Sequence, residues 1–512
     1  MLGIILGLNI GSAFAQAIEI RDYLTMPMTG SVTATGNNGQ LARINSLHEE
    51  PGGTQRFFVN DLNGPLYIID KATKTPTVYL NFNGRGTQPG LFHRFTYEMG
   101  YANGFISFRF DPDYAANGKF YTVHLEEPAV TASPIPDNKN FTGLNVTGYT
   151  ATPAIQTPGE IQREAILIEW TDSKTSNTTF EGTAREILRV QLNNRIHPMG
   201  ELIFNPTAER GEPEWRVLYI GCGDGGSGEQ QTAMRLNPQR LDTVVGKILR
   251  IVPDLMEHRD ASTVSDNGRY RIPNDNPFVA TAGARKEIWA YGLRNPHRLT
   301  WDANTLIAAS VGLHTWESAY IIRKGANYGY PLREGNETLK QDNTTANLPQ
   351  EDRIPVQVTD KTTSGTISPI YPVLQYPHMK DGGDAISGGF VYRGSALPAL
   401  RGKYVFGDIT TGRIWYADLA EMVAADDGKP ETTARLHEMK IRWNGEIYAT
   451  MFAIVEAAYH AREGKDPNLP GTSTVSGDGR ADIRFATDAA GELYILSKSD
   501  GVIRAVVSAT PN

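Results

Sequence analysis

The chain has 512 residues, of which 40% are hydrophobic, and carries a formal net charge of −8 at pH 7. A chain of this length can bury a large core, and a negative charge without a basic cluster argues against nucleic acid or an anionic membrane surface as a partner. Cys222 is the only cysteine, which excludes an intramolecular disulfide and a cysteine-based metal site and favours a small buried filler at this position.

The chain begins with an apolar run that ends in Ala13-Phe14-Ala15, which is typical of the cleavage site of a secretory signal. The run is too short to span a bilayer, and no later stretch is long and apolar enough to form a membrane helix. We therefore predict a signal peptide at residues 1–15, no membrane insertion, and a periplasmic or extracellular location.

Short runs that end in an aromatic residue and are flanked by Gly or Asp recur along the chain. There are six of them: Gly64–Asp70, Gly118–Tyr121, Leu218–Gly221, Leu299–Asp302, Gly402–Val405 and Gly491–Ile495. Their spacing is mostly longer than a standard propeller blade, which is consistent with four-stranded blades that carry long loops. The predicted fold class is therefore all-β, as a six-bladed β-propeller with long inter-strand loops.

Two polar stretches rich in Pro and Thr, residues 131–159 and 336–369, interrupt the strand pattern. We interpret them as inserted loops rather than linkers, because the strand pattern resumes after each. A propeller closes by pairing its first and last strands, and a strand-like run lies at residues 502–507. We therefore expect a single domain over residues 16–512 whose terminal segments share a blade.

The segment W-A-Y-G-L-R-N-P-H-R-L-T-W-D at residues 289–302 places Arg294 and Asn295 in a tight turn between two strand-like runs. Loops that strands hold rigid often carry chemistry. Arg294 presents a planar fork of donors and Asn295 adds a short amide, so the pair suits a polar, oxygen-rich ligand. The alternative is a turn that only satisfies backbone carbonyls.

Other motifs accompany this turn in a fixed order. They are H-P-M-G-E-L (197–202), L-Y-I-G-C-G-D-G-G (218–226), V-G-K-I-L-R-I (245–251), G-A-N-Y-G-Y-P (325–331), G-G-F-V-Y-R-G (388–394) and G-K-Y-V-F-G-D (402–408). Over roughly residues 66–506 this set resembles the glucose/sorbosone dehydrogenase family, soluble sugar dehydrogenases that use pyrroloquinoline quinone (PQQ). The resemblance implies a six-bladed propeller that oxidises the anomeric hydroxyl of an aldose to the lactone, with PQQ as hydride acceptor and an external electron acceptor as partner.

The resemblance also assigns roles to three residues. His197 would be the general base, since a neutral imidazole suits proton removal near neutral pH. Arg294 would stabilise the charge that develops on the quinone oxygen, and Asn295 would hold the cofactor edge. A structural or solvated histidine is the alternative for His197, and we interpret Asp224 as stabilising its own turn through nearby backbone amides.

A tricarboxylate cofactor is also expected to need a divalent cation, and Ca²⁺ favours carbonyl and carboxylate ligands. The resemblance implies that the Gly312 carbonyl contacts cofactor and metal, that Glu317 is the nearby acid, and that Arg480 faces the cofactor carboxylates. The alternatives are a turn glycine, a solvated charge and a bare turn. No dinucleotide-binding or P-loop motif is present, so the sequence does not support nicotinamide or ATP chemistry.

The chain also departs from the family pattern. Ala102 stands where the best-known soluble glucose dehydrogenases carry a cofactor-contacting glutamine, and Thr410 where they carry a lysine. Arg413 is a candidate replacement for the lost cation, or a surface arginine at a strand start. The departures favour a second function, a non-catalytic carbohydrate- or protein-binding propeller. A metal-dependent hydrolase is a third, and the sugar, electron acceptor and oligomeric state stay open.

Overall fold

The structure is a computed structural model that describes residues 16–96, 102–379, 382–473, 475 and 477–510. It is nearly all-β, with 40% strand and 7% helix, so the predicted all-β class is confirmed. The predicted signal peptide lies outside the described residues. Of the described helices, none has the length and apolar character needed to cross a membrane.

Apart from small inserted sheets of two or three strands, the described strands form one nine-stranded, one six-stranded and three four-stranded sheets. The nine-stranded sheet holds two groups of strands, so the main strands fall into six mostly antiparallel groups in chain order. The N-terminal strand β1 (Ala17–Thr25) belongs to the last sheet. The first sheet contains β2 (Ile44–Glu49), β3 (Arg56–Asp61), β4 (Pro65–Asp70) and β5 (Pro76–Asn81). The second contains β6 (Phe105–Phe110), β7 (Lys119–Glu126), the short edge strands β8 (Leu144–Asn145) and β9 (Ala154–Ile155), β10 (Arg163–Asp172) and β11 (Gly182–Leu192).

The next two sheets carry inserted hairpins. The third contains β12 (Met199–Phe204), β13 (Leu218–Cys222), β14 (Lys247–Ile251) and β17 (Ile288–Tyr291), with the hairpin β15 (Ser262–Val264) and β16 (Arg271–Pro273) inserted before β17. The fourth contains β18 (Asn295–Asp302), β19 (Thr305–Val311), β20 (Trp316–Ile321) and β26 (Leu374–Pro377). Its insertion holds β21 (Arg333–Glu334), β22 (Glu337–Leu339), β23 (Thr345–Ala346), β24 (Ile354–Gln357) and β25 (Thr363–Ile367).

The fifth and sixth groups join into one large sheet through parallel pairing of β1 with β30. The fifth contains β27 (Ile386–Val391), β28 (Lys403–Asp408), β29 (Ile414–Asp418) and β30 (His437–Trp443), and β31 (Glu446–Tyr448) pairs with β30. A small hairpin of β32 (Thr472–Ser473) and β33 (Gly477–Asp478) precedes β34 (Ile483–Thr487), β35 (Leu493–Ser497) and β36 (Val502–Thr510). Within the described residues the α-helices are α1 (Tyr114–Asn117), α2 (Leu419–Ala425) and α3 (Phe452–Ala461).

The six groups of strands follow one another in a closed ring of contacts. The first strand of each sheet lies against the first strand of the next, and β34 of the last sheet lies against β2 of the first. Six buried hydrophobic clusters fill the spaces between neighbouring sheets, including the one between the last sheet and the first. Each of the six aromatic runs in the sequence falls in a different sheet.

The terminal segments pair as the sequence predicts. Strand β1 runs antiparallel to β36 along its whole length, from Ala17 opposite Thr510 to Thr25 opposite Val502. Buried Arg504 supports this pairing, since its Nη2 lies 2.6 Å from Asp500 Oδ2 and its Nε lies 3.0 Å from Asp22 Oδ1.

We expect Arg504→Ala to lower the free energy of unfolding by about 3 kcal/mol, because it leaves the buried Asp500 carboxylate without its cation. Urea unfolding followed by fluorescence measures this change. Arg21→Ala is the matched control, since the 3.3 Å pair of Arg21 with Glu19 on strand β1 is exposed and should contribute less than about 0.5 kcal/mol. Equal effects of the two substitutions would contradict the role given to Arg504.

Candidate functional site

Where side-chain hydrogen bonds join them, the first strands of neighbouring groups run in the same direction, so their starts meet at one end of the ring. Side-chain contacts show this alignment: Ser107 and Arg109 of β6 reach the carbonyls of Gly200 and Leu202 of β12, the second at 2.8 Å. His197 lies two residues before β12, and Arg294 lies directly before β18. The predicted base and the predicted arginine therefore enter the same end of the ring from neighbouring sheets.

His197 is held in a backbone conformation that most residues avoid, with a φ of 51°, and such strain is often kept at functional sites. Its Nδ1 lies 2.7 Å from Asp224 Oδ1, and its carbonyl accepts from the Gly225 amide at 3.0 Å. A Cβ on Gly223 would lie 2.5 Å from the His197 carbonyl oxygen. Position 223 therefore requires glycine for this approach.

Asp224 is fully buried and fixes the imidazole. Its carboxylate also accepts from the amides of Gly226 at 2.8 Å and Gly228 at 2.9 Å, the backbone contacts that the sequence predicts. Burial alone would raise the pKa of this carboxyl, but the charge and hydrogen bond of His197 outweigh it and hold the pKa below its usual value. An ionised Asp224 keeps the proton of His197 on Nδ1 and leaves the Nε2 lone pair free to accept a proton.

Arg294 is joined to this pair by its backbone and by a second carboxylate. The Asp224 amide donates to the Arg294 carbonyl at 2.7 Å. The guanidinium donates from Nη1 to the carbonyls of Gly312 and Val311 and from Nη2 to Glu229 Oε1. The same Glu229 oxygen lies 3.9 Å from His197 Nε2, so Glu229, which sequence reasoning missed, connects the two candidate catalytic groups.

The structure places Gly312 and Glu317 next to each other. The Gly312 amide donates to Glu317 Oε1 at 2.9 Å, His378 Nε2 contacts the same oxygen, and the Ile386 amide donates to Glu317 Oε2 at 2.6 Å. Burial raises the pKa of the fully buried Glu317, and His378 opposes that rise.

These two residues do not fit a Ca²⁺ ion in this arrangement. The Gly312 carbonyl already faces a guanidinium, and both oxygens of Glu317 already accept from protein groups. Ca²⁺ requires six to eight oxygen ligands, and the described part of the chain holds no group of three or more His, Cys, Asp or Glu that could bind a metal.

The remaining predicted positions lie in varied surroundings. Asn295 is buried, and its backbone amide donates to Ser310 Oγ at 3.2 Å. Arg413 forms a two-point pair with Glu438 at 2.7 Å and lies against the Trp415 ring. Thr410 is buried and donates to Asp408 Oδ1 at 2.9 Å, and Ala102 is half-buried.

Arg480 belongs to a basic cluster around Asp482, which stands directly before β34 at the same end of the ring. The distances to the Asp482 carboxylate are 3.7 Å from Arg480 Nε, 3.4 Å from Arg484 Nη1 and 3.8 Å from Lys498 Nζ. Burial raises the pKa of Asp482, but Lys498 and the arginines lower it to about 2. Burial lowers the pKa of Lys498 well below its usual value, as expected where several cations share one anion.

Unfolding measurements can test whether Glu317 stabilises the fold through its protein contacts or through a bound Ca²⁺ ion. We expect Glu317→Gln to lower the free energy of unfolding by about 2 kcal/mol, because an amide nitrogen cannot accept from the buried backbone amides. Exposed Glu351→Gln is the control and should change it by less than about 0.5 kcal/mol. Addition of Ca²⁺ or of a chelator should leave the unfolding midpoint of the wild type unchanged. A rise of that midpoint with Ca²⁺ that Glu317→Gln abolishes would contradict the conclusion that Gly312 and Glu317 do not fit a Ca²⁺ ion.

Comparison with known protein families gives one match over most of the chain. Residues 51–453 match the family described as Glucose / Sorbosone dehydrogenase. The HIPL1 protein of Arabidopsis thaliana is 28% identical over 330 residues, covering 61% of this chain and 43% of that protein. An aldose sugar dehydrogenase of Escherichia coli (strain K12) is 25% identical over 281 residues, covering 54% of this chain and 62% of that protein. The chain thus spans less than two thirds of either relative.

The fold is similar to that of solved structures. The PQQ-bound form of an aldose sugar dehydrogenase from Streptomyces coelicolor superposes with a TM-score of 0.52 at 16% identity, covering 97% of this chain and 98% of that one. At this identity the likeness concerns the fold alone.

Proposed function

Because the chain belongs to the glucose/sorbosone dehydrogenase family, we propose that it is a PQQ-dependent dehydrogenase that oxidises the anomeric hydroxyl of an aldose to the lactone. The observation that carries this proposal is the arrangement of His197, Asp224 and Arg294. A buried carboxylate orients an imidazole whose other nitrogen faces Glu229 at 3.9 Å, beyond hydrogen-bond distance, and a fixed guanidinium stands beside it. Proton removal and charge stabilisation need these two groups.

Each residue of the site has its own proposed role in the oxidation. His197 Nε2 accepts the proton of the anomeric hydroxyl, while Asp224 stabilises the imidazolium that forms. Arg294 Nη2 donates to the oxygen on which negative charge develops, and the Gly312 and Val311 carbonyls hold the guanidinium in place. PQQ, when bound, would supply the hydride acceptor. Asn295 is proposed to contact the cofactor edge, since it is buried directly beside Arg294.

The basic cluster around Asp482 fits a tricarboxylate cofactor. Arg480, Arg484 and Lys498 surround a single carboxylate, and buried cations in such excess over anions favour the binding of a further anion. We propose that Arg480 and its neighbours hold carboxylates of PQQ. No role in this proposal depends on Ca²⁺, because Gly312 and Glu317 are already engaged with protein groups.

Thr410 and Arg413 favour a second candidate, a propeller that binds a carbohydrate or a protein without turnover. Thr410 is uncharged and donates to Asp408, and the charge of Arg413 is paired with Glu438, so neither restores the lysine charge of the family pattern. PQQ binding separates the candidates. Reduction of bound quinone by an aldose, followed as bleaching of its absorbance, supports the dehydrogenase, whereas failure to bind PQQ supports the binding module.

The setting of this activity is also proposed. The closed order of six sheets supports a six-bladed propeller in a single domain over residues 16–512. The apolar run at residues 1–15 supports secretion to the periplasm or the outside of the cell. A small-molecule sugar would be the substrate, and an external electron acceptor would complete the cycle.

We expect His197→Ala to lower kcat about 100- to 10,000-fold, the usual contribution of a general base, while PQQ still binds. Asp224→Asn should lower kcat with little change in KM, because the amide favours the wrong imidazole tautomer. Steady-state kinetics with a panel of aldoses measures both. His437→Ala, on outer strand β30, is the control, and a kcat for His197→Ala equal to that of this control would exclude His197 as the base.

Lys498→Met should weaken PQQ binding about tenfold and raise the free energy of unfolding of the unloaded protein by about 1 kcal/mol, since a buried cation next to other cations is removed. Fluorescence titration and urea unfolding measure the two effects. Lys247→Met is the matched control, because the Nζ of this buried lysine donates to the carbonyls of Asn237, Pro238 and Val245 at 3.1, 2.8 and 2.6 Å. It should destabilise the protein, and a loss of stability in Lys498→Met as well would contradict the proposed anion site.

A further inference from the structure

Two groups that the proposed reaction needs point at one oxygen of the protein itself. Glu229 Oε1 accepts a hydrogen bond from Arg294 Nη2 and lies 3.9 Å from His197 Nε2. Under the proposed function, the anomeric hydroxyl of the sugar has to approach His197 Nε2, and the oxygen that gains negative charge has to approach Arg294 Nη2. The Glu229 carboxylate therefore stands in the space where these two ligand oxygens have to meet.

We infer that Glu229 is a specificity-determining residue: its carboxylate fills the space between His197 and Arg294 in the unloaded protein and makes the site select against anionic ligands. This inference rests on the proposed function. Glu229 neutralises the guanidinium that would otherwise attract an anion. An anionic ligand has to displace the carboxylate and then bind beside it, and the repulsion between the two negative charges disfavours binding.

The local structure indicates that only the side chain of Glu229 has to move. Glu229 ends a single 3₁₀ turn, Ser227–Glu229, whose first residue donates from Oγ to the Asp224 carbonyl at 2.7 Å. A Cβ on Gly228 would lie 2.3 Å from the Tyr330 ring, so the backbone is closely packed there. The Glu229 side chain itself is 28% exposed. Rotation of the side chain into solvent vacates the position without a change in the backbone.

The inference names a substrate class. A neutral aldose meets a carboxylate that can accept hydrogen bonds from its hydroxyl groups, whereas a sugar acid brings a second negative charge to the same place. The site should therefore favour neutral aldoses over sugar acids such as glucuronate. The anionic cofactor is subject to the same repulsion, so Glu229 should also lower the affinity for PQQ.

Glu229→Gln tests the charge, since glutamine keeps the shape of the side chain and its ability to accept from Arg294. We expect PQQ, titrated by fluorescence quenching, to bind the variant about tenfold more tightly than the wild type, because like charges no longer meet in the site. In the loaded proteins, the preference for glucose over glucuronate in kcat/KM should fall by a similar factor of about ten. Glu229→Ala should tighten PQQ binding in the same direction and provides the measurement if Glu229→Gln fails to fold.

Asp302→Asn is the matched control. Like Glu229→Gln, it removes the charge of a carboxylate that is paired with a guanidinium, here Arg393 at 2.7 and 2.6 Å. The pair lies at the far end of β18, so PQQ affinity should be unchanged. Equal PQQ affinity in the wild type and both Glu229 variants overturns the inference and leaves the proposed function standing. Failure of every protein, the wild type included, to bind PQQ overturns both.

Discussion

The rest of the structure depends on closing the ring, because every sheet is apolar on both faces. Strand β13 shows why. Its alternate residues point to opposite sides, so Leu218 and Ile220 pack towards the second sheet while Tyr219 packs towards the fourth. Both apolar faces of such a sheet are buried only when it lies between two neighbouring sheets. The buried cluster shared by the first and last sheets is thus as necessary as the other five.

Closure also explains where the candidate site lies. Parallel first strands start at one end of the ring, and the residues just before those starts are free of the sheet hydrogen bonds that fix the strands themselves. His197, Arg294 and Asp482 all stand there, before three different sheets. The backbone bond from Asp224 to Arg294 and the strained φ of His197 are local arrangements that the rigid ring beneath can hold, as is usual for functional loops on a stable scaffold.

The sequence predicts the class of fold and the central pair of the site, and physical reasons separate these from what it misses. Alternating apolar residues and aromatic runs report burial on a strand, which is a local property. The partners of a carboxylate are not local: Glu317 is engaged by His378 and Ile386, and Arg413 by Glu438. Such contacts depend on how neighbouring sheets are placed, which no periodicity encodes.

The pairing of Glu229 with Arg294 was missed for the same reason, and the basic cluster is a further example. Arg484 and Lys498 sit in strand and turn segments with no motif of their own, and their significance comes only from sharing Asp482. The sequence predicts only part of the contacts of Asp224. Its bonds to the Gly226 and Gly228 amides follow from the loop sequence, whereas its bond to His197 joins residues 27 positions apart.

The pairing of β1 with β36 has a consequence for the timing of folding. Paired residues of the two strands are 477 positions (Thr25 and Val502) to 493 positions (Ala17 and Thr510) apart. During synthesis β1 is therefore made long before its partner, and the apolar faces of the first and last sheets remain uncovered until β36 emerges. Contacts this distant in sequence form slowly, and chains that expose such faces are prone to aggregate. Chaperones, or folding after release of the chain, would shield these faces until β36 pairs with β1.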